Sequence, residues 1–197
     1  MKRIIIALFI AALAHSAVVA QEPPKRYGIK SGIISRDMKH GQKSTFYFDD
    51  YGHKTAEINT AIMCVDGVHR DTVGTGTIMV DGQRYYVSYV WKTKRLIGHE
   101  SEMVNFLNLT QDMVKEYGIK KVGTEEVCGR PCDIYFLHYK YIGLPVVETV
   151  WVWKGIFLKK ETKSYGLYKT METTDIQENV PVDPSVFIVP DFEEVQK

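Results

Sequence analysis

The sequence has 197 residues, with 25 lysines and arginines against 24 aspartates and glutamates, so its formal charge is +1. This balance excludes a nucleic-acid binder that works mainly through electrostatics, because such proteins carry a large basic excess. Hydrophobic residues make up 45% of the chain and aromatic residues 12%, with 12 tyrosines. This composition excludes a disordered chain or a coiled coil and favours a globular protein rich in strands.

The first twenty residues have the pattern of a secretory signal peptide. Lys2 and Arg3 precede an unbroken apolar run over residues 4–14, and the sequence around Val18 suits cleavage after residue 20. The apolar run is shorter than the about 20 residues that a membrane-spanning helix needs. An uncleaved amphipathic anchor is the alternative interpretation.

We therefore expect a leader over residues 1–20, cut between Ala20 and Gln21, and a single domain over residues 21–197. No cysteine follows the cleavage point directly, so we expect no lipid-modified N-terminus. No later apolar run reaches membrane-spanning length, and we expect a product that is exported to the periplasm.

In the remaining chain, apolar and polar residues alternate in the pattern that is typical of antiparallel strands. Strong turn signals stand at Asp66-Gly67 and at Asp81-Gly82. The predicted strands cover residues 27–36, 43–49, 54–65, 75–80, 84–91, 122–128, 132–141, 145–154, 157–164 and 167–177. Residues 178–192 carry three prolines and are expected to be extended or loop-like.

Helix signals occur only between residues 99 and 118. Ser101 or Thr110 can cap an N-terminus, and Gly118 suits the position that follows a helix. The helical interruption therefore falls between two groups of strands. A single sheet of at least eight strands must curl to bury an apolar face, so we predict a mainly β (α+β) fold with one curled antiparallel sheet and a helix on its concave side.

The chain has three cysteines, Cys64, Cys128 and Cys132. Cys128 and Cys132 flank Gly-Arg-Pro between two predicted strands, and opposed residues of an antiparallel pair lie close enough for a disulfide. Export favours disulfides, so we expect a Cys128–Cys132 bridge. A bridge from Cys64 to either of the other two is the alternative.

Three segments in the second half resemble one family. Residues 118–135 (GIKKVGTEEVCGRPCDIY), 146–166 (VVETVWVWKGIFLKKETKSYG) and 175–190 (DIQENVPVDPSVFIVP) are similar, in order, to the hairpin, the Trp-bearing strand pair and the closing segment of the lipoprotein-localisation (LolA/LolB-like) carriers. The resemblance covers roughly residues 108–192. It implies an unclosed β half-barrel lidded by one or two helices, with a cavity that shelters acyl chains during transfer across the periplasm.

One feature of the carriers is missing from this chain. The carriers have an Arg-Pro pair early in the sheet, and its arginine controls the opening of the lid. The corresponding region of this chain, residues 54–65, contains neither arginine nor proline. The chain therefore looks closer to an uncharacterised exported branch of the fold than to the dedicated carrier.

A carrier of this kind needs apolar and aromatic cavity walls. The candidate wall residues are Phe46, Phe48, Tyr85, Val87, Tyr89, Trp91, Phe136, Trp151 and Trp153. The expected lid residues opposite them are Met103, Phe106, Leu109 and Met113, since methionine suits a surface that repacks around variable ligands. Each of these side chains can equally belong to the core of the sheet.

Catalytic patterns are missing from the sequence: it has no G-x-S-x-G elbow, no H-E-x-x-H and no phosphate-binding glycine loop. We predict no catalytic residue, no metal and no cofactor. The leading hypothesis is a monomeric periplasmic protein that binds a lipid or acyl chain, with transient contact to a membrane surface and no nucleic-acid partner. The alternatives are a cell-envelope protein-interaction module on the same fold and a thiol-dependent enzyme that uses Cys128 and Cys132.

Overall fold

The computed structural model describes residues 24–38, 42–65 and 68–195, and it describes no side chain between residues 61 and 72. The predicted leader and its cleavage site at Ala20 and Gln21 lie outside the described residues, as does the side chain of Cys64. Among the helices of the described part of the chain, none is long and apolar enough to cross a membrane.

The described chain forms one twelve-stranded sheet and a short α-helix. In chain order the elements are β1 (Gly32–Met38), β2 (Lys43–Asp49), β3 (Lys54–Val65), β4 (Val68–Val80), β5 (Gln83–Ser88), β6 (Thr93–His99), α1 (Gln111–Glu116), β7 (Lys120–Val127), β8 (Arg130–Tyr141), β9 (Leu144–Trp153), β10 (Ile156–Ser164), β11 (Leu167–Glu178) and β12 (Glu193–Glu194). Single 3₁₀ turns lie at Asp50–Gly52, Glu100–Glu102 and Pro184–Phe187.

The sheet has the strand order β12-β6-β5-β4-β3-β2-β1-β11-β10-β9-β8-β7. Every neighbouring pair is antiparallel except the short parallel pair of β12 and β6. Strands β12 and β7 form the two edges and do not pair with each other, so the sheet is unclosed. The predicted fold class, a single antiparallel sheet with a minor helical part, is confirmed.

The connection from β6 to β7 has to cross the sheet, because these consecutive strands lie near opposite edges. Residues 100–119 make this connection, and we call them the crossing segment. Within it, the Thr110 hydroxyl accepts a hydrogen bond from the Met113 amide at 3.2 Å and caps α1. Gly118 follows the helix with φ +56°, the left-handed conformation that ends helices. Of the two N-cap candidates that the sequence offered, Thr110 rather than Ser101 caps α1, and Gly118 follows its end as predicted.

The two faces of the sheet are covered by different parts of the chain. The crossing segment packs on β8, β9 and β10 with a cluster that includes Phe106, Leu137 and Val150. The opposite face of β3, β4 and β5 is covered by residues 182–192, whose Phe187 packs with Ile78 and Val87. The C-terminal segment therefore closes the convex side and leaves the concave side to the crossing segment.

Three strand predictions were wrong in extent. Residues 27–30 are not part of β1, because the amide groups there bond to the Tyr51 and Lys154 carbonyls at the end of the sheet. Strand β4 begins at Val68 rather than at residue 75, and β5 ends at Ser88 rather than at residue 91. Strand β6 was missed because its sequence, TKRLIGH, alternates poorly between polar and apolar residues.

The expected Cys128–Cys132 disulfide is wrong in this structure, where both cysteines are free. The hairpin turns at Cys128-Gly129, both at positive φ, and not at Gly-Arg-Pro. Cys132 is therefore paired with Glu125 across β7 and β8, while Cys128 stands exposed in the turn. Cys132 is buried in a core cluster instead.

This arrangement predicts very different reactivities for the two thiols. Burial raises the pKa of Cys132 from 9.0 to about 11, and the thiolate is the reactive form. In a Cys64→Ser background, we expect iodoacetamide to alkylate Cys128 readily at pH 8, and Cys132 to react at least about a hundredfold more slowly than an exposed thiol until the protein is unfolded. Peptide mass spectrometry of the alkylated protein reads both rates. Recovery of a peptide in which Cys128 and Cys132 are disulfide-linked would contradict the structure.

Candidate functional site

The concave face of the sheet and the crossing segment border an open cavity of about 720 Å³. Small-molecule sites commonly have volumes of about 300–1,000 Å³. Apolar side chains line it from both sides. They include Met103, Val104 and Phe106 of the crossing segment and Leu137, Tyr139, Val146 and Met171 of the sheet.

Phe106 is the main apolar contact between the crossing segment and the sheet. Its ring lies 5.0 Å from that of Tyr135 and 5.4 Å from that of Phe157, measured between centroids. Leu137 and Val150 belong to the same buried cluster. The rings meet in tilted and edge-to-face geometry, which is the favourable arrangement for aromatic pairs. Phe106 therefore forms part of the cavity's roof and fixes the crossing segment on the sheet.

Arg26 ties the crossing segment to the N-terminal segment. Its guanidinium donates to the carbonyl of Glu100 at 3.3 Å and to the carbonyl of Val104 at 3.2 Å. His53 lies 2.7 Å from the Glu100 carboxylate, measured from Nδ1 to Oε1. The Asn105 side-chain amide donates to the Lys25 carbonyl at 3.1 Å. One end of the roof is therefore held by several polar bonds.

Gly155 allows the N-terminal segment to approach the sheet this closely. It adopts φ +83° in the turn between β9 and β10, and a Cβ at this position would collide with the carbonyl oxygen of Arg26. The side chain of Leu107 lies against the same point. Only glycine therefore fits where the N-terminal segment, the crossing segment and the sheet meet.

A buried polar cluster lies on the floor of the cavity. The Arg36 guanidinium donates to the Glu57 carboxylate at 3.0 Å and to the Phe157 carbonyl at 3.0 Å, and it lies over the Phe46 ring. The Ser44 hydroxyl donates to the same Glu57 oxygen at 2.8 Å. Burial alone would raise the pKa of Glu57, but Arg36 and Ser44 outweigh it and hold this pKa below its usual value of 4.5.

A second polar group lies on the wall formed by β8, β9 and β10. The Glu148 carboxylate accepts a hydrogen bond from Thr162 at 2.9 Å and lies 3.7 Å from the Lys160 ammonium. Burial and the Glu148 charge raise the pKa of Tyr139, whose hydroxyl therefore remains a donor at all physiological pH values. The wall thus carries a polar group whose charges are internally balanced.

Two further cations line the cavity on the side of β5 and β6. Arg84 and Arg95 have no ion-pair partner within the described ranges, and Arg95 lies 6.0 Å from the centre of the Tyr86 ring. Glu102 also lines the cavity, with its carboxylate beside Gly98 of β6, so the two arginines leave a smaller excess of positive charge on this side.

The structure disperses the nine predicted wall residues. Phe46 alone of the nine lines the cavity. Phe48, Trp151 and Trp153 are buried in the core cluster to which Phe46 also belongs, but they do not line the cavity. Tyr85, Val87 and Tyr89 pack on the convex side. Trp91 is 79% exposed in a turn, and Phe136 is half-buried on the face of β8 opposite Leu137. The Trp151 indole donates to Glu125 at 2.6 Å, away from the roof.

The four predicted lid residues all lie in the crossing segment. Met103 and Phe106 line the cavity, and Leu109 packs against the cluster around Phe106. Met113 of α1 lines a smaller pocket of about 270 Å³ beside Tyr117.

The residues that sequence reasoning missed are on the alternate positions of the same strands. Leu137, Tyr139 and Val146 point to the cavity. The aromatic residues that were predicted to line it from the same strands, Phe136, Trp151 and Trp153, point to the opposite face. A strand that is apolar on both faces has no pattern that identifies its inner face. The sequence held one signal for the inner face of the sheet. Arg36 on β1 and Glu57 on β3 are charged residues on either side of β2 and its phenylalanines.

Over the described ranges, no group of three or more His, Cys, Asp and Glu side chains is placed to hold a metal ion. No protein-family model and no curated protein matches the sequence.

Comparison with solved structures finds similar folds at low sequence identity. The chain is similar to an uncharacterised conserved protein of Thermus thermophilus, with a TM-score of 0.51 and 7% identity over 85% of this chain and 91% of that chain. It is also similar to a chain of the Pseudomonas aeruginosa MucA/MucB complex, with a TM-score of 0.45 and 14% identity over 79% of this chain and 54% of that chain. A third similarity is to a Vibrio parahaemolyticus domain assigned to the outer membrane lipoprotein-sorting proteins, with a TM-score of 0.33 and 12% identity over 82% of this chain and 91% of that chain.

These similarities concern the fold. The Thermus protein matches over nearly its whole length, whereas the chain spans about half of the Pseudomonas one.

The bonds from Arg26 predict a role in holding the roof. We expect Arg26→Ala to destabilise the protein by about 2 kcal/mol, since Arg26 is buried and bonds to two carbonyls. Hydrogen exchange of the amides over residues 100–108 should rise more than exchange elsewhere. Arg95→Ala, which removes an exposed arginine without such bonds, is the matched control. Uniform exchange changes across the sheet in Arg26→Ala would contradict this role.

The Arg36–Glu57 pair predicts a pH-dependent effect of Glu57→Gln. At pH 7 the variant should lose about 2–3 kcal/mol of stability because it leaves Arg36 buried without a counter-charge, and Glu57 is 31% exposed, which keeps the loss at the low end. Since the pKa of Glu57 is lowered on folding, its contribution is present above pH 4.5 and is lost as the pH falls through the folded-state pKa. Urea unfolding of both proteins at pH 7 and pH 3 measures this gap. A gap that is equal at both pH values would contradict the assignment.

Proposed function

We propose that the protein is exported to the cell envelope and binds a lipid or acyl chain in the cavity between the sheet and the crossing segment. The observation that carries this proposal is the cavity itself, of about 720 Å³, in which apolar side chains of the crossing segment face apolar side chains of the sheet.

The energetics of the cavity favour a long apolar ligand. Each CH₂ group of an acyl chain that leaves water contributes about 0.8 kcal/mol. Phe106, Leu137, Val146 and Met171 offer contacts along the cavity, and their positions on the crossing segment and on three strands surround a ligand from several sides. An extended chain uses such a shape better than a compact polar molecule does.

The polar groups of the cavity are compatible with such a ligand. Arg36 and Glu57 neutralise each other, and Glu148 is paired with Lys160 and Thr162, so neither group carries a net charge that the ligand has to balance. Arg84 and Arg95 form no ion pair with a described residue and leave an excess of positive charge on their side of the cavity. They supply an orienting site for the polar end of an anionic amphiphile, while the apolar end lies under Phe106.

Ligand access is expected at the end of the cavity that is not tied. Arg26, His53 and Asn105 fasten the crossing segment at one end of the strands. Tyr141 and Ser164 line the cavity at the opposite end, where the hairpins β8–β9 and β10–β11 turn. We call this second end the mouth of the cavity.

Export and the single domain over residues 21–197 rest on the leader pattern over residues 1–20. With them, the proposal is a periplasmic carrier-like protein. A second candidate function is an envelope protein-interaction module: β7 is an edge strand with Val122 60% exposed, and an extended peptide can pair with such an edge.

A cavity-filling variant tests the lipid-binding proposal. Val146 lines the cavity and Val147 points to the opposite face of β9, so Val146→Phe and Val147→Phe make a matched pair. If Val146→Phe displaces about two CH₂ groups of a ligand, it should weaken the binding of a fluorescent fatty acid about tenfold, whereas Val147→Phe should not. Fluorescence titration of the purified proteins measures the three affinities.

Circular dichroism of both variants checks that they remain folded, so that weaker binding can be attributed to the filled cavity. Equal affinities of the two variants would place the ligand outside the cavity. No binding by the wild-type protein of any fatty-acid or phospholipid probe would reject lipid binding and leave the interaction module as the better candidate.

A further inference from the structure

Two neighbouring hairpin tips expose an unusual set of apolar side chains at the mouth of the cavity. The tip patch, as we call it, consists of Tyr141, Ile142, Leu144, Tyr165, Leu167 and Tyr168. Ile142 is 82% exposed and Tyr165 is 75% exposed. The hairpins are adjacent because β9 and β10 pair with each other, with Val146 opposite Ser164 near the tips. The patch is therefore one continuous projection of the sheet.

The backbone conformation of the two turns disfavours the residues at their tips, Ile142 and Tyr165. Ile142 and Tyr165 each have φ near +50° and precede a glycine, in the left-handed position of a two-residue turn. Asparagine, aspartate or glycine is favoured there, and a β-branched residue is strongly disfavoured. At the opposite end of the sheet, Asp81 occupies the corresponding position of the turn between β4 and β5. Folding alone does not explain isoleucine and tyrosine at the two exposed tips.

Lysines predominate at the tips, and within the described part of the chain the one carboxylate that interacts with a patch residue is that of Glu161 on β10, which accepts a hydrogen bond from the Tyr168 hydroxyl. Residues 139–147 and 162–171 contain Lys140, Lys163 and Lys169 and no aspartate or glutamate. The chain as a whole is nearly neutral, so this local excess is a property of the tips. Lysines beside exposed tyrosines and aliphatic residues match the interface of a bilayer with anionic headgroups, where aromatic rings sit at headgroup level.

The position of the patch links it to the cavity. Tyr141 belongs to the patch and lines the cavity, and Val146 and Ser164 line the cavity directly behind the tips. A bilayer that receives the tips would therefore meet the open end of the cavity rather than its tied end. An acyl chain could then pass between bilayer and cavity without crossing bulk water.

We propose that the tip patch docks the protein on the surface of a bilayer that contains anionic lipids, with Ile142 and Tyr165 inserted among the headgroups. The docking itself does not depend on what the cavity holds, but its use for loading or unloading a lipid rests on the proposed function. The contact is transient, because two short tips bury far less apolar surface than a membrane anchor does.

The test is flotation with vesicles of phosphatidylcholine alone and of phosphatidylcholine and phosphatidylglycerol in roughly equal parts. The variant Ile142→Asn/Tyr165→Asn removes the apolar tips and places the turn-favoured residue at both left-handed positions, so it should fold at least as well as the wild type. Asp81→Asn, at the same turn position on the opposite end of the sheet, is the control. We expect the wild type and the control to float with the anionic vesicles and the double variant to bind about tenfold or more weakly.

Equal binding of the wild type and the double variant, or no flotation of the wild type with anionic vesicles, would overturn the docking proposal. The second result would favour a protein partner for the patch. Fatty-acid titration of the same proteins separates this proposal from the proposed function: the double variant should keep the wild-type affinity for a fatty acid in solution. If the wild type floats but binds no fatty acid, docking stands and lipid carriage fails.

Discussion

The connection between β6 and β7 is the constraint on which the rest of the structure depends. These strands follow each other in the chain but lie near opposite edges of one unclosed sheet, so residues 100–119 have to cross its concave face. Because the sheet curls, the crossing segment spans the curve rather than lying flat on the strands. Phe106 contacts the sheet on one side of the gap, Arg26 ties the other end, and the space that remains is the cavity.

The chemistry of the cavity follows from how the two ends of the strands differ. At one end, the N-terminal segment, Gly155 and the bonds of Arg26 close the structure. At the other, the hairpins carry exposed apolar residues and lysines, and Tyr141 and Ser164 line the cavity there. This difference between the two ends supports the proposed binding function, since a packing defect has no reason to lie beside an apolar, basic surface.

Sequence patterns predicted those parts of the fold that depend on local chemistry. Thr110 and Gly118 marked the ends of α1, and β3 has the limits that its alternating residues and the Asp66-Gly67 signal predicted. The Cys128–Cys132 disulfide was wrong because the two-residue turn at Cys128-Gly129 shifts Cys132 opposite Glu125. A choice between two turns that differ by two residues depends on the packing of both strands, which a single sequence does not display.

The candidate site was harder to predict than the fold. On β9, the large side chains of Trp151 and Trp153 were predicted to line the cavity. The smaller Val150 and Val152 lie on the face that the crossing segment covers. Which face of a doubly apolar strand is concave depends on the direction in which the whole sheet curls. That direction arises from the twist, bulges and covering segments together.

Lipid binding as proposed requires an acyl chain to occupy the space between the crossing segment and the concave face. Photocrosslinking with a diazirine-bearing fatty acid, followed by peptide mapping, determines where the chain lies. We expect crosslinks to peptides that contain Phe106, Leu137 or Val146, with competition by an unlabelled fatty acid. Competed crosslinks confined to the convex side around Val87 and Phe187, with none in the cavity, would contradict it.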